Sequence, residues 1–312
     1  MTALVRDPIP LAPQPGRRPP AAGAASLALR PVLDAPRRPA RVIAVFPSAV
    51  YLESRTGTEP RVVAVVTSDA VRLPNAVVVV ATCRERPFRA VREGAEAWAG
   101  EGRVEIDGLE TKVRRWWDPS PALGPVPVAT LAHGLRSLEA ALADAGGTAR
   151  GGLYGHPDPV LLADRCEAGD LAGTIEAAER IVGLGPGLTP SGDDILCGLL
   201  LSLRLLGGAA RPGGRAVWLA DWLGAAVTAD AGTRTTALAA TLLHCAASGA
   251  AGAEVAAVLR AVAGLEPAAP AVRRLLAAGH TSGADLASGV LAGCRAVLAH
   301  TAMAGQGSRV SA

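Results

Sequence analysis

From Arg41 onward the chain runs in short Val-rich segments: RVIAVFPSAVYLES, RVVAVVTSDAV and NAVVVVAT, each bounded by Pro, Gly, Asn or Asp. Segments of this length and make-up predict β-strands. GRVEIDGLETKVRRW, residues 102–116, predicts a hairpin turning at Asp107-Gly108. Four or five strands are expected between residues 41 and 118. DPSPALGPVPV follows, with Pro119, Pro121, Pro125 and Pro127, and reads as a linker over 119–127. Beyond it the period changes. Leu131, Leu135, Leu138 and Leu142 recur at three- and four-residue intervals, and further helices are predicted around 159–181, 194–207, 214–230, 236–248, 252–263, 269–278 and 285–300. The predicted fold class is α+β: a small β-rich N-terminal domain over 41–118, then a larger, mainly α-helical domain over 128–302. The Pro/Arg-rich residues 1–40 are expected to form a disordered tail, and 303–312 a flexible one.

Composition narrows the function. Half of the 312 residues are hydrophobic but only 3% are aromatic, which favours closely packed helices with small side chains. The longest apolar run, Ile195 to Leu206, contains Ser202 and Arg204. It falls short of the roughly 18 residues of a membrane span and reads as a buried helix. Seven arginines against two acids among residues 1–41 supply more than the whole net charge of +3. The remainder is slightly acidic, so no nucleic-acid footprint is expected. Lys112 is the sole lysine, which excludes a Schiff-base lysine at a plausible site and a Walker-type phosphate loop. The five cysteines form no C-x-x-C pair and read as small buried hydrophobes in a reducing, cytoplasmic setting. The N-terminus shows no apolar signal-peptide core.

The chemistry concentrates in GLGPGLTPSGDD, residues 183–194, at the mouth of the most apolar segment. Ser191 as helix N-cap, with Asp194 three residues on and Asp193 in the first turn, accounts for PSGDD structurally. It leaves Gly183, Gly185 and Gly187 unexplained, unless the backbone there takes positive φ or closely approaches a ligand. Thr189, Ser191 and Gly192 complete this candidate binding loop. GHTSGAD, residues 279–285, repeats the grammar: Ser191-Gly192-Asp193-Asp194 and Ser282-Gly283-Ala284-Asp285 both read S-G-x-D and both open an apolar helix. Two such helix starts are expected to face one pocket and to offer free backbone amides to a small anionic substrate. Thr281, Ser282, Gly283 and Asp285 join the binding set, and His280 is a donor or a structural histidine.

DAGTRTTAL adds Thr233, Arg234 and Thr235, with Arg234 suited to phosphate or carboxylate. Asp193 and Asp194 would repel a bound anion unless Mg²⁺ bridged carboxylate to phosphate or one Asp points away and only caps the helix; Mg²⁺ is the one metal considered and no other cofactor is implied. Zinc spacing and a G-x-S-x-G elbow are absent.

Together, GLGPGLTPSGDDILCGLL, the threonine loop at 233–236 and GHTSGADLASG resemble the AllH-like family, which includes a subunit of oxamate carbamoyltransferase of anaerobic allantoin breakdown. VFPSAVYLES is similar to that family's N-terminal strand segment, and the resemblance spans roughly residues 41–300. It implies a transferase subunit in purine degradation: with two other carbamoyltransferase subunits, one similar to an acyl-CoA synthetase subunit, it converts oxalurate and phosphate to oxamate and carbamoyl phosphate. The motif positions carry over; catalytic roles do not. On the residues alone, Asp193, Asp194 and His280 are the catalytic candidates. Two alternatives stand beside this reading: an independent phosphoryl-transfer enzyme that binds a nucleotide, and a non-catalytic assembly or regulatory subunit.

Overall fold

The computed structural model describes residues 20–55, 57–107 and 109–307. Eight strands, β1 (Ala21–Ser26), β2 (Arg38–Val45), β3 (Ala49–Ser54), β4 (Val62–Val66), β5 (Ala76–Val79), β6 (Glu96–Gly100), β7 (Arg103–Ile106) and β8 (Leu109–Trp117), close into a barrel in the order β1-β5-β4-β3-β2-β6-β7-β8. A short helix, α1 (Arg30–Leu33), joins β1 to β2. The β1–β8 and β4–β5 pairs are parallel and the others antiparallel. The β7–β8 hairpin is the one predicted, although Gly108 of its turn lies outside the described residues.

Three strands were not expected: the Val-rich segment from Arg41 to Ser54 is two, β2 and β3, parted at residues 46–48, and neither β1 nor β6 was predicted. β1 falls inside the segment read as a tail, so the chain is ordered from about residue 20 rather than 41; residues 1–19 lie outside the described residues. Its AAGAAS sequence shows no alternation, because the strand closes the barrel where space is short. A Cβ on Gly23 would overlap the Thr111 side chain of β8, and the β1–β8 register shifts at Gly23/Ala24. β6, EAWAG, is too short and too mixed to be read as a strand.

The central strands are apolar on both faces. Val50, Leu52, Val63, Val65, Val77 and Val79 fill the barrel. The alternate residues Ala49, Ala64, Val66 and Ala76 form a second buried cluster outside it, joined by Tyr51 and Val78. β4 is buried at every residue, so its sequence reads as a continuous apolar run instead of a period of two.

The helical part comprises α2 (Val128–Asp144), α3 (Pro157–Ala168), α4 (Leu171–Ile181), α5 (Ser191–Leu201), α6 (Gly207–Ala210), α7 (Arg215–Ala229), α8 (Ala231–Arg234), α9 (Ala237–Ala247), α10 (Ala253–Val262), α11 (Ala268–Leu276) and α12 (Ser282–Gly307). The helix predicted over 159–181 is two. Gly169 takes φ 73° and Asp170 caps α4 through Gly173 N–H at 3.0 Å. A π-turn, Ser202–Leu206, joins α5 to α6 where Ser202 Oγ donates to the carbonyls of Gly198 and Val290. Residues 118–127 carry no regular element but are packed rather than free: Leu123 and Val126 are buried in the helical core.

All eleven residues of α5 are buried, and α12 crosses it closely. A Cβ on Gly198 would overlap the Leu286 carbonyl, and a Cβ on Gly289 would overlap the Ile195 carbonyl. Barrel and helices are joined through Thr241 of α9, whose Oγ1 accepts from Val62 N–H at 3.2 Å and donates to Glu59 at 3.1 Å. No described helix is long and apolar enough to cross a membrane. Gly289→Ala is expected to cost about 2–3 kcal/mol in urea unfolding, because two backbones must separate. Gly208→Ala, with nothing within 4 Å of the added carbon, is expected to be neutral or slightly stabilising.

Candidate functional site

The three predicted loops meet at the start of α5. Gly183, Gly185 and Gly187 take φ of +72°, +118° and +94°, a region that L side chains rarely adopt, and this accounts for the glycines. The loop is riveted by Asp193. Its Oδ1 accepts from Gly183 N–H at 3.0 Å and its Oδ2 from the Thr235 hydroxyl. Thr236 Oγ1 donates to the Leu188 carbonyl, and Gly183 packs flush against the Arg234 carbonyl. Burial raises the Asp193 pKa, and the Thr235 and Gly183 donors pull it back.

Asp194 has other neighbours. It is 4% exposed and lines a cavity of about 530 Å³. The Thr189 and Ser282 hydroxyls, one from each glycine-rich loop, bond to each other at 3.0 Å and lie beside its carboxyl. Its Oδ2 is buried without a partner. Burial pushes the Asp194 pKa up to about 8, with Asp285 and Asp193 adding to the effect of desolvation. At neutral pH the group is therefore mainly a carboxylic acid, both donor and acceptor.

The two S-G-x-D turns are built alike. Ser191 and Ser282 are the first helical residues, and Pro190 holds the N-cap position expected for Ser191. Gly192 and Gly283 fit against the Ile181 and Leu275 carbonyls, where a Cβ would overlap. Their amides donate to the Leu184 and Ala278 carbonyls at 2.9 Å each. The Asp194 and Asp285 amides donate to Pro190 and Thr281. The helix starts do converge, but these amides are already engaged, which removes the expected anion grip. The Asp285 half is also closed: its Oδ2 accepts from Gly152 N–H at 3.2 Å, and Gly152 lies against Ser191 Oγ.

Other candidates lie outside the cavity. His280 is exposed and is not part of the lining. The Arg234 guanidinium donates to the Glu179 carbonyl and pairs with Asp230 at 3.6 Å, and Thr233 donates to the Asp230 carbonyl. Mg²⁺ does not fit Asp193 and Asp194. Both Asp193 oxygens are taken by internal donors, and among the described residues no group of three His, Cys, Asp or Glu is placed to hold a metal ion.

Half of the cavity wall was not foreseen. The outer face of the barrel contributes Phe46, Ala49, Tyr51 and Val66, and α10 contributes Glu254, whose Oε2 is also buried without a partner. The available signal was the apolar outer face of β3 and β4. The helical wall is mainly Leu188, Leu238, Leu242, Val255 and Leu286. Among the described residues that line the cavity there is no Arg, Lys or His. Cys197 lies one turn beyond Asp194, and burial raises its pKa far above the range of a reactive thiol.

The family model described as oxamate carbamoyltransferase subunit AllH matches residues 181–294. No curated protein and no solved structure matches the chain. The matched stretch begins at the last residue of α4 and ends within α12, so it contains Asp194, both S-G-x-D turns and the threonine loop, while the barrel lies outside it. The segment that builds the polar end of the cavity is therefore the part of the chain that is similar to AllH.

Proposed function

We propose that the chain is a subunit of a carbamoyltransferase-type complex related to oxamate carbamoyltransferase, and that Asp194, Thr189 and Ser282 hold the carbamoyl end of its substrate. The observation that carries this reading is the unpartnered oxygen of Asp194, a carboxyl that stands beside two mutually bonded hydroxyls inside the AllH-like segment. A protonated carboxyl presents an O–H donor and a carbonyl acceptor along one edge. A ureido or carbamoyl group presents the complementary acceptor and N–H donor. An acid kept neutral by an apolar site can donate to a carbonyl oxygen and stabilise charge that develops there during transfer.

The anionic parts of oxalurate and phosphate find no cation in the described lining. Under this reading the partner subunits supply it, and the chain is active only within the complex.

Two outcomes are expected. A complex reconstituted with its partner subunits should form carbamoyl phosphate from oxalurate and phosphate, and Asp194→Ala should lower kcat/KM about 10²-fold. Full activity in that variant would overturn the role of Asp194. The second outcome concerns stability. The folded state keeps a proton on Asp194 that the unfolded chain releases near pH 4, so this group's contribution is fully present below about pH 4 and is lost as pH rises to about 8. Urea melts of wild type minus Asp194→Asn should slope by on the order of 1 kcal/mol per pH unit across that window and flatten above it.

A further inference from the structure

The carbamoyl-binding reading uses only one end of the cavity. A space of about 530 Å³ is far larger than a ureido group needs, given that a water in the liquid occupies about 30 Å³. It lies in the usual size range of small-molecule sites. Most of the remaining wall is aliphatic or aromatic, and it comes from two separate structures: the outer face of the barrel on one side and α5, α9, α10 and α12 on the other. A wall of this kind does not hold a small, highly charged molecule, because the charge would lose hydration without gaining a partner.

The polar groups that do face the space are specific. Asp194 and Glu254 each present a buried oxygen without a partner, so each asks for a donor. Among the described lining residues there is no cation to receive an anion. Asp194 stands beside the negative charges of Asp285 and Asp193, which further disfavours an anionic head.

We propose that the cavity between the barrel wall and helices α5, α9, α10 and α12 binds an uncharged ligand with an amide or ureide head on Asp194, Thr189 and Ser282 and an elongated apolar body along Leu238, Leu242 and Val255. This rests on the reading of Asp194 given above, but not on the reaction or on the partner subunits. Tyr51, stacked edge-to-face on the half-exposed Phe46 at a centroid distance of 5.9 Å, forms part of the barrel side of the same space.

The test uses the full chain alone and three probes, each with an unbranched apolar tail and a different head: n-hexylurea, n-hexanoate and n-hexylguanidinium, measured by calorimetry and thermal shift at pH 7. Hexylurea is expected to bind and raise Tm, while hexanoate gives no shift. Asp194→Ala should weaken hexylurea binding about tenfold, as loss of a charged or paired hydrogen-bonding group does. Leu242→Trp, which fills the apolar body of the site, should abolish it while leaving the circular dichroism spectrum intact. Should Leu242→Trp fail to fold, Val255→Phe serves the same purpose. The proposal is overturned if hexylurea does not bind, if hexanoate binds as well, if hexylguanidinium binds more tightly than hexylurea, or if binding survives both filling variants. Hexylurea binding in a chain whose reconstituted complex shows no turnover of oxalurate would retain this site and discard the reaction.

Discussion

The closeness of α5 and α12 is the constraint on which the site depends. Each of Gly198 and Gly289 fits against the carbonyl of the residue three positions before the other glycine. This reciprocal contact leaves no room for a side chain at either point. It also brings the first turns of both helices together, so that Thr189 and Ser282, far apart in sequence, share a hydrogen bond. Without the glycine crossing, Asp194 would lie beside one hydroxyl instead of two.

The two S-G-x-D turns show how one local solution is put to two uses. In both, serine opens the helix, glycine lies against the carbonyl of the preceding helix, and the aspartate amide bonds back to the loop. The carboxylates then diverge. Asp285 is satisfied by Gly152 of the loop after α2, whereas Asp194 faces the cavity with one oxygen unpaired. Asp193 has no counterpart in the second turn, where Ala284 stands, and only the first turn carries the glycine loop that Asp193 anchors. An unpaired buried polar atom costs stability. Within the two turns that cost falls on Asp194 alone, while Asp193 and Asp285 accept from Gly183, Thr235 and Gly152.

Much of this was legible in the residues, and the failures have physical causes. The helices were readable because their apolar positions recur at a steady period. The grouping of the two helix starts was readable because S-G-x-D recurs behind a Gly-rich approach, and the three glycines of the first loop do take positive φ. Free amides at Gly192 and Gly283 were expected because helix starts generally leave donors unpaired. Sequence could not show that the turns fold the Leu184 and Ala278 carbonyls onto them. His280 and Arg234 drew attention for their chemistry, but the turn leaves one in solvent and the Glu179 carbonyl holds the other. β1 was hidden because alanine and glycine carry little hydrophobic contrast, and barrel closure selects them for size.

The barrel shows why the cavity exists. A barrel needs one apolar face, its inner one, yet β3, β4 and β5 are apolar on both. Part of the outer face is buried against α9, where Thr241 bonds Val62 and Glu59. Another part, around Ala49, Tyr51 and Val66, faces the cavity and not a helix. Exposed apolar surface of this kind is normally covered by packing. The backbone bond from Ala253 to the Arg72 carbonyl holds the barrel at the start of α10, so the gap between the two walls is fixed by hydrogen bonds on its flanks instead of closing by hydrophobic contact. The helical part supplies the polar end of the site, and the barrel supplies much of the apolar wall that keeps Asp194 dry and therefore protonated.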